Sequence, residues 1–176
     1  VALDGVPVFS HVFDPTGQEV HFVFASRLLG DTIANLPYVK EFLDEYHATP
    51  SYYCADYLRE LVEHVYPGIP YRASASGDTY ATFYFTAALN DPSKSPLDGR
   101  MVPMWETGRW ILDLPRSAGP PPWPAGRRVI DEPYVCIAVQ SSHPSKGWIY
   151  TGGWDRVAEY LKSLGYRVLC IDKEQF

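Results

Sequence analysis

Hydrophobic residues in the first half of the chain form short runs that alternate with longer stretches repeating every three or four positions. The short runs predict strands at 6–13, 20–25, 51–54, 69–72 and 80–85. The longer repeats predict a helix after the strand at 20–25 and another at 56–66. Residues 20–86 therefore predict alternating β and α elements, with a parallel sheet covered by helices.

The first predicted helix follows a glycine-containing loop at 26–32. Its apolar stripe is expected to run through Ile33, Leu36, Val39, Lys40, Phe42 and Leu43. Pro37 interrupts this stretch, and proline fits a helix only near its N-terminus because it has no amide hydrogen and its ring crowds the preceding turn. We therefore expect Pro37 to lie close to the start of the helix.

Residues 134–172 predict a second set of elements in the order strand, loop, helix, strand. The unbroken apolar run at 134–139 is typical of a strand buried on both faces of a parallel sheet. A helical stripe follows, made of Trp154, Val157, Ala158, Leu161 and Leu164. Gly165 is the expected left-handed end of this helix, and 167–171 is the returning strand. Together these elements predict a βαβ unit.

Proline and glycine divide the chain into two parts. Residues 115–133 hold several prolines, a composition that excludes a regular helix or a central strand, so we predict a linker there. Residues 1–114, with a helix at 104–114, are predicted to form one α/β domain, and 134–176 the start of a second. The chain does not begin with methionine and stops just after a strand, so we expect both ends to be cuts within a longer gene product.

The loop after the strand at 134–139 carries the groups that a phosphate needs. It reads QSSHPSKGW at 140–148, and Thr151, Gly152 and Gly153 precede the next helix. Ligands of open α/β sheets lie beyond the strands' carboxyl ends, and hydroxyls, lysine and helix amides there bind anions. Neither a GxxxxGK[ST] nor a GxGxxG motif occurs. The residues alone leave open a solvated loop with a helix capped by Thr151.

Composition excludes some function classes. The formal net charge of −6 argues against nucleic acid, and no apolar run is long enough to cross a bilayer. The three cysteines, Cys54, Cys136 and Cys170, lie far apart and match no metal-binding spacing. We expect buried free thiols in a reducing cytosol, and no cofactor in this segment.

Two stretches of sequence carry a family resemblance. SRLLGDT at 26–32, followed by NLPYV at 35–39, resembles the R-x-x-G-D loop of the family 9 heptosyltransferases. SS at 141–142, followed by KGW at 146–148, resembles the loop that holds the donor phosphates in that family. Over roughly 20–172 the chain is most similar to the autotransporter heptosyltransferases, the TibC-like branch.

The resemblance implies a GT-B fold of two Rossmann-like domains, with 1–114 on the acceptor side and 134–176 beginning a truncated nucleotide-sugar domain. It implies a cytoplasmic inverting glycosyltransferase that moves heptose from ADP-heptose to serine hydroxyls of an autotransporter passenger protein. Asp31 is implied to be the general base, and Lys146 to stabilise the departing diphosphate. The other implied substrate-binding residues are Ser141, Ser142, Gly30, Thr32, Arg27, Gly152, Gly153 and Trp154.

The same resemblance bears on metals and assembly. The autotransporter branch has a cysteine-bound iron site in its C-terminal half, and none of this chain's three cysteines corresponds to it. The implied reaction needs no divalent metal. A homo-oligomeric state of the full-length protein stays open.

Several alternatives stand beside this hypothesis. A lipopolysaccharide core heptosyltransferase would act on a lipid-linked sugar at a membrane surface. Such a surface attracts basic residues, and the chain has fewer basic than acidic residues, which argues against this alternative. A non-catalytic nucleotide-binding module would use Lys146 without needing Asp31. A Rossmann oxidoreductase is disfavoured by the missing glycine fingerprint. For the residues themselves, Asp31 as a helix cap and Lys146 as a surface lysine are the simpler alternatives.

Overall fold

The computed structural model describes residues 2–85, 101–115, 128–140 and 147–172. The chain forms two compact units, Val1–Pro124 and Ala125–Phe176. Parallel strand pairs form the main sheet of each unit, and helices connect successive strands. The predicted α/β class with parallel sheets is confirmed.

The first unit contains five strands and three α-helices within the described residues. In chain order these are β1 (Ala2–Leu3), β2 (Val6–Pro7), β3 (Glu19–Phe24), α1 (Leu29–Tyr46), β4 (Thr49–Tyr53), a 3₁₀ turn (Asp56–Leu58), α2 (Arg59–Val65), β5 (Ala81–Phe85) and α3 (Met104–Ile111).

The main sheet of this unit has the order β4-β3-β5, and both pairings are parallel. Pro50 lies in β4, which is an edge strand of this three-stranded sheet. Proline is tolerated at an edge because its missing amide hydrogen breaks no ladder there. The predicted strand at 69–72 is wrong, since only an isolated bridge joins Tyr71 to Tyr52. Pro70 cannot donate to a neighbouring strand, so the bridge does not extend into a ladder.

The predicted strand at 6–13 is also wrong over most of its length. Only its first two residues form a strand, β2, which pairs antiparallel with β1. Residues 8–13 are held by side chains instead. Phe13 packs edge-on against Phe83 with 6.3 Å between ring centroids, and the His11 ring lies 2.9 Å from the Tyr80 hydroxyl.

The central strand β3 forms the middle of the hydrophobic core. All residues at 20–24 are buried, so both faces of β3 are covered. Phe22 stacks on Phe85 of β5 at 6.3 Å and meets Phe42 of α1 edge-on at 5.6 Å. Full burial of a phenylalanine side chain contributes about 1.5–3 kcal/mol, so this cluster stabilises the sheet and α1 together.

Helix α1 begins at Leu29, earlier than the sequence predicted. Gly30, Asp31 and Thr32 therefore belong to its first turn and not to the preceding loop. The loop between β3 and α1 is reduced to residues 25–28.

The buried face of α1 also differs from the predicted stripe. Ile33 is 37% exposed and the Lys40 side chain is 68% exposed, so both predictions were wrong. Asn35 and Tyr38 are buried in their place. Helix α3 packs on this side of α1, and Gly108 brings it so close that a Cβ there would lie 2.4 Å from Asn35 Oδ1.

Pro37 lies well inside α1, contrary to the expectation that it would be near the start. On either side of the proline, the Tyr66 hydroxyl donates to the Leu36 carbonyl and accepts the Lys40 amide at 3.3 Å. These two backbone groups pair directly in a regular helix, so the hydroxyl is inserted into the helical hydrogen-bond ladder. Burial raises the pKa of Tyr66 to about 12, as expected for a phenol enclosed in this way.

The second unit consists of β6 (Tyr134–Ile137), α4 (Gly153–Ser163) and β7 (Arg167–Cys170), with β6 and β7 parallel. The predicted βαβ order is confirmed, and Gly165 has the left-handed φ of 86° expected after the helix. The prediction that 134–139 is buried on both faces is wrong, because within the described residues one helix covers this two-stranded sheet.

The three cysteines are free, as predicted, but differ in burial. Cys54 is buried in the core of the first unit. Cys136 and Cys170 are exposed, so their predicted burial was wrong. In the part of the chain that the structure describes, no helix is both long and apolar enough to cross a membrane.

We predict that Tyr66→Phe lowers the free energy of unfolding by about 1–3 kcal/mol, because it leaves the Leu36 carbonyl and the Lys40 amide without their partner. Urea unfolding followed by circular dichroism measures this. Tyr160, which is 64% exposed on α4, provides the matched control, and we expect Tyr160→Phe to change the same quantity by less than about 0.5 kcal/mol. Equal stability of Tyr66→Phe and the unaltered chain would contradict the prediction.

Candidate functional site

Asp31 lies at the carboxyl end of the central strand. It is the third residue of α1, and residues 25–28 separate this helix from β3. The unpaired amides and the dipole of a helix N-terminus favour a negative charge at this position. The N-cap residue is Leu28, with no side-chain cap hydrogen bond, so Asp31 is not the cap of its helix. A half-buried carboxylate is thus presented at the sheet edge where α/β proteins bind ligands.

Ser26 holds one oxygen of this carboxylate. Its hydroxyl donates to Asp31 Oδ2 at 2.5 Å and accepts the Leu28 amide at 3.2 Å. Within the described residues no hydrogen bond reaches Asp31 Oδ1. One carboxylate oxygen is therefore anchored, and the other has no protein partner there.

The backbone of the same loop is held from the neighbouring strand. Tyr57 lies in the 3₁₀ turn that follows β4, and its hydroxyl donates to the Arg27 carbonyl. The Arg27 side chain is exposed. This contact joins the carboxyl ends of β3 and β4, so the parallel order of the two strands brings together residues far apart in sequence.

The other predicted residues of this turn differ in their surroundings. Gly30 is exposed, and a Cβ there would meet no atom within 4 Å. Thr32 is 2% exposed, and its hydroxyl donates to the Leu28 carbonyl at 3.3 Å. Asn35 donates its side-chain amide to the Asp31 carbonyl at 2.8 Å. Thr32 and Asn35 thus support the turn that carries Asp31.

In the second unit, Asp172 holds the residues that lead into the predicted phosphate loop. Its carboxylate accepts the Val139 amide at 2.8 Å, the Gln140 amide at 3.1 Å and the Cys170 thiol at 3.1 Å. Burial by itself raises the pKa of Asp172, but these hydrogen bonds outweigh it and hold the pKa below the ordinary value of 3.8. The end of β6 is therefore fastened to the end of β7.

The helix after this loop begins in a tight aromatic turn. Gly152 is the N-cap with φ 68°, and no side chain caps the helix, so the alternative that Thr151 is the cap is wrong. The Gly153 amide donates to the Tyr150 carbonyl at 2.9 Å. Trp148 meets Trp154 edge-on at 5.2 Å between ring centroids. A Cβ at Gly153 would come within 2.8 Å of the Trp148 ring, so glycine is required for this packing.

Three predicted donor-binding residues, Ser141, Ser142 and Lys146, lie outside the described residues. The described segments at 128–140 and 147–172 flank them on both sides. Their predicted role stays a prediction.

No group of three or more His, Cys, Asp or Glu side chains among the described residues is placed to hold a metal ion. They do not fit an iron centre, and we assign no residue of this segment to one.

Sequence reasoning did not assign roles to Ser26, Tyr57 and Asp172. Ser26 was visible inside the SRLLGDT motif, but a hydroxyl five residues before a carboxylate has no characteristic spacing. Asp172 had a usable signal: it follows β7, and the ends of adjacent parallel strands meet at one sheet edge. Tyr57 could not be found from local sequence, since its partner lies 30 positions earlier.

The chain is similar in sequence to known bacterial proteins. No protein-family model matches the chain. The autotransporter heptosyltransferase Aah of Escherichia coli is 34% identical over 97% of this chain and 45% of its own length. The autotransporter heptosyltransferase TibC of Escherichia coli is 32% identical over 96% of this chain and 43% of its own length. The inactive autotransporter heptosyltransferase BimC of Burkholderia thailandensis is 26% identical over 96% of this chain and 41% of its own length.

Solved structures give the same relationship. The crystal structure of the iron-containing dodecameric glycosyltransferase TibC from enterotoxigenic Escherichia coli matches with a TM-score of 0.78 and 29% identity, over 96% of this chain and 46% of that one. The structure of TibC in complex with ADP-D-beta-D-heptose also matches with a TM-score of 0.78, over 96% of this chain and 45% of that one.

The chain therefore has the α/β fold, with parallel sheets, of a bacterial glycosyltransferase. Within that class it is a relative of the autotransporter heptosyltransferases, and the resemblance predicted from its motifs is confirmed. The chain spans about half the length of the curated relatives it matches.

We predict that the Asp172 contact with the Val139 and Gln140 amides is lost in acid. The pKa of Asp172 is lowered by folding, so its stabilising contribution is fully present above the ordinary pKa of 3.8 and disappears as the pH falls through the lower, folded value. Amide proton shifts of Val139 and Gln140, followed by two-dimensional NMR, are expected to share a titration step with a midpoint below 3.8.

Two aspartate variants in the second unit serve as controls for this titration. Asp172→Asn is expected to remove the step, and Asp155→Asn, on the exposed side of α4, to leave it in place. A midpoint at or above 3.8 would contradict the prediction.

Proposed function

We propose that the intact protein is a GT-B glycosyltransferase that transfers heptose, with inversion, from ADP-heptose to serine hydroxyls of an autotransporter passenger protein. In this proposal residues 1–114 form the acceptor side, 115–133 the linker, and 134–176 the start of the domain that holds the donor. The similarity to Aah and TibC and the TibC complex with ADP-D-beta-D-heptose support it. A cytoplasmic location and a homo-oligomeric state, supported by dodecameric TibC, belong to the same proposal.

The observation that carries the proposal is the geometry of the Asp31 carboxylate. One oxygen is anchored by Ser26, and the other has no hydrogen bond within the described residues. A general base needs this combination of a fixed carboxylate and an oxygen open to the acceptor hydroxyl.

The proposed reaction assigns a role to each of these groups. The acceptor oxygen attacks the anomeric carbon and passes its proton to Asp31, while the bond between that carbon and the diphosphate breaks. The departing ADP gains negative charge, which Lys146 stabilises together with the hydroxyls of Ser141 and Ser142. Attack from the side opposite the leaving group inverts the anomeric centre.

The remaining substrate contacts in this proposal lie beside these groups. At the start of α4, Gly152, Gly153 and Trp154 flank the donor phosphates. On the acceptor side, the exposed Arg27 and Gly30 lie close to Asp31 in the chain, and the buried Thr32 acts indirectly by supporting the turn that carries Asp31. The exposure of Gly30 and the open space beside it suit the approach of a substrate.

We predict that Asp31→Asn in the full-length parent protein lowers transfer about 10²–10⁴-fold, because the amide keeps the shape of the side chain but cannot accept the proton. The mass gain of the passenger protein measures transfer, and titration calorimetry with ADP-heptose measures donor binding, which is expected to persist. Asp44→Asn is the matched control, on the exposed part of the same helix, and is expected to retain activity. Equal loss of binding and transfer would show that Asp31 is structural.

We predict that Lys146→Ala lowers transfer about 10²–10³-fold, because the departing diphosphate loses a cation. Peptide mapping of the passenger locates the heptose, and wild-type modification is expected on serine. Lys162→Ala, at an exposed position in the last turn of α4, is the matched control and is expected to leave transfer unchanged. Unchanged transfer by Lys146→Ala would remove Lys146 from the donor site.

A second candidate function is a non-catalytic nucleotide-binding module. The observation in its favour is that BimC, an inactive protein, is also a relative over 96% of the chain. Binding of ADP-heptose by the full-length protein, without transfer to the passenger or to core lipid, would support this candidate. Transfer to core lipid alone would instead favour a lipopolysaccharide core heptosyltransferase.

A further inference from the structure

The Ser26 hydroxyl takes part in two hydrogen bonds with opposite roles. It accepts the Leu28 amide at 3.2 Å and lies 2.5 Å from Asp31 Oδ2. A serine hydroxyl carries one hydrogen and two acceptor lone pairs. A backbone amide can only donate, so the Leu28 contact occupies a lone pair and leaves the hydroxyl hydrogen for the carboxylate. An ionised carboxylate can only accept, so the Ser26 hydroxyl donates to Asp31 Oδ2 while it accepts the Leu28 amide.

This arrangement restrains a torsion that is otherwise soft. The terminal torsion of an aspartate has a broad, roughly two-fold distribution, so a lone carboxylate at the start of a helix exchanges its oxygens easily. The hydrogen bond from Ser26 distinguishes Oδ2 from Oδ1. The Asp31 backbone is restrained independently, because its carbonyl accepts the Asn35 side-chain amide at 2.8 Å.

We propose that Ser26 is a positioning residue, which orients the Asp31 carboxylate so that Oδ1 faces the acceptor hydroxyl during transfer. This inference rests on the proposed function of Asp31 as the general base. Ser26 itself contacts neither the reacting atoms nor the departing diphosphate in this scheme. It acts through the carboxylate and through the loop at 25–28.

The test uses steady-state kinetics of the full-length parent protein with ADP-heptose and passenger acceptor. Ser26→Ala is expected to lower kcat about tenfold to a hundredfold, the usual effect of misplacing a catalytic group, with KM for ADP-heptose unchanged. Ser26→Thr keeps a hydroxyl on the same carbon and is expected to restore kcat. A kcat loss that threonine does not rescue would overturn the proposal.

A double-mutant cycle tests whether Ser26 acts through Asp31. In the Asp31→Asn background there is no base left to orient, so adding Ser26→Ala is expected to cause no further loss of kcat. The same fractional loss in both backgrounds would mean that Ser26 acts independently of Asp31, and would overturn the proposal.

Tyr57→Phe is the matched control for loosening of the loop. It removes the hydroxyl that contacts the Arg27 carbonyl and does not touch the carboxylate. We expect its kcat to stay within about threefold of wild type, the effect of one ordinary hydrogen bond. A loss as large as that of Ser26→Ala would attribute the effect to loop order and contradict a role in orientation.

The outcomes separate this inference from the proposed function. Full activity of Asp31→Asn would refute the general-base assignment and this inference with it. An inactive Asp31→Asn beside a fully active Ser26→Ala would refute the positioning role alone.

Discussion

The parallel register of β3 with both of its neighbours is the constraint on which the candidate site depends. Because β3 is covered on both faces, a shift by one residue would exchange the two sets of buried side chains, so the register cannot slip without disrupting the core. The carboxyl ends of β3 and β4 then meet at one edge. This places the loop at 25–28 beside the 3₁₀ turn that carries Tyr57, and it places Asp31 at the helix start above the sheet.

The two units hold their strand-end loops by different means. In the first unit, a serine within the loop bonds both the loop backbone and the carboxylate that follows. In the second, the carboxylate of Asp172 comes from the neighbouring strand and accepts two successive amides of the outgoing chain. Both solutions satisfy backbone or carboxylate groups beside loops that the proposed function assigns to substrate binding, where a rigid loop would place functional groups accurately.

Helix α1 shows how tertiary packing overrides local helix chemistry. A proline inside a helix costs about 3 kcal/mol, yet Pro37 is accommodated well within α1. The burial of Leu36 and Phe42 in the core offsets this cost, and the Tyr66 hydroxyl bridges the Leu36 carbonyl and the Lys40 amide on either side of the proline. The helix that presents Asp31 is therefore stabilised by the core and by α2's neighbouring tyrosine more than by its own propensity.

Periodicity, turn residues and short motifs are local properties, so the amino-acid sequence was enough to predict the βα order, the parallel sheets, the glycine end of α4 and the family relationship. The tertiary structure was needed to tell which strand is buried on both faces, since burial depends on how many elements cover a strand. Strand β3 has helices and two neighbouring strands, and β6 has fewer within the described residues. The tertiary structure also decided that residues 8–13 form no ladder, that Tyr66 enters the backbone of α1, and that Ser26 and Asp172 each anchor a loop. Those contacts join groups whose spacing in sequence has no period, so no local pattern predicts them. The position of Asp172 is the exception, because the predicted parallel order of β6 and β7 already brings the ends of these strands together.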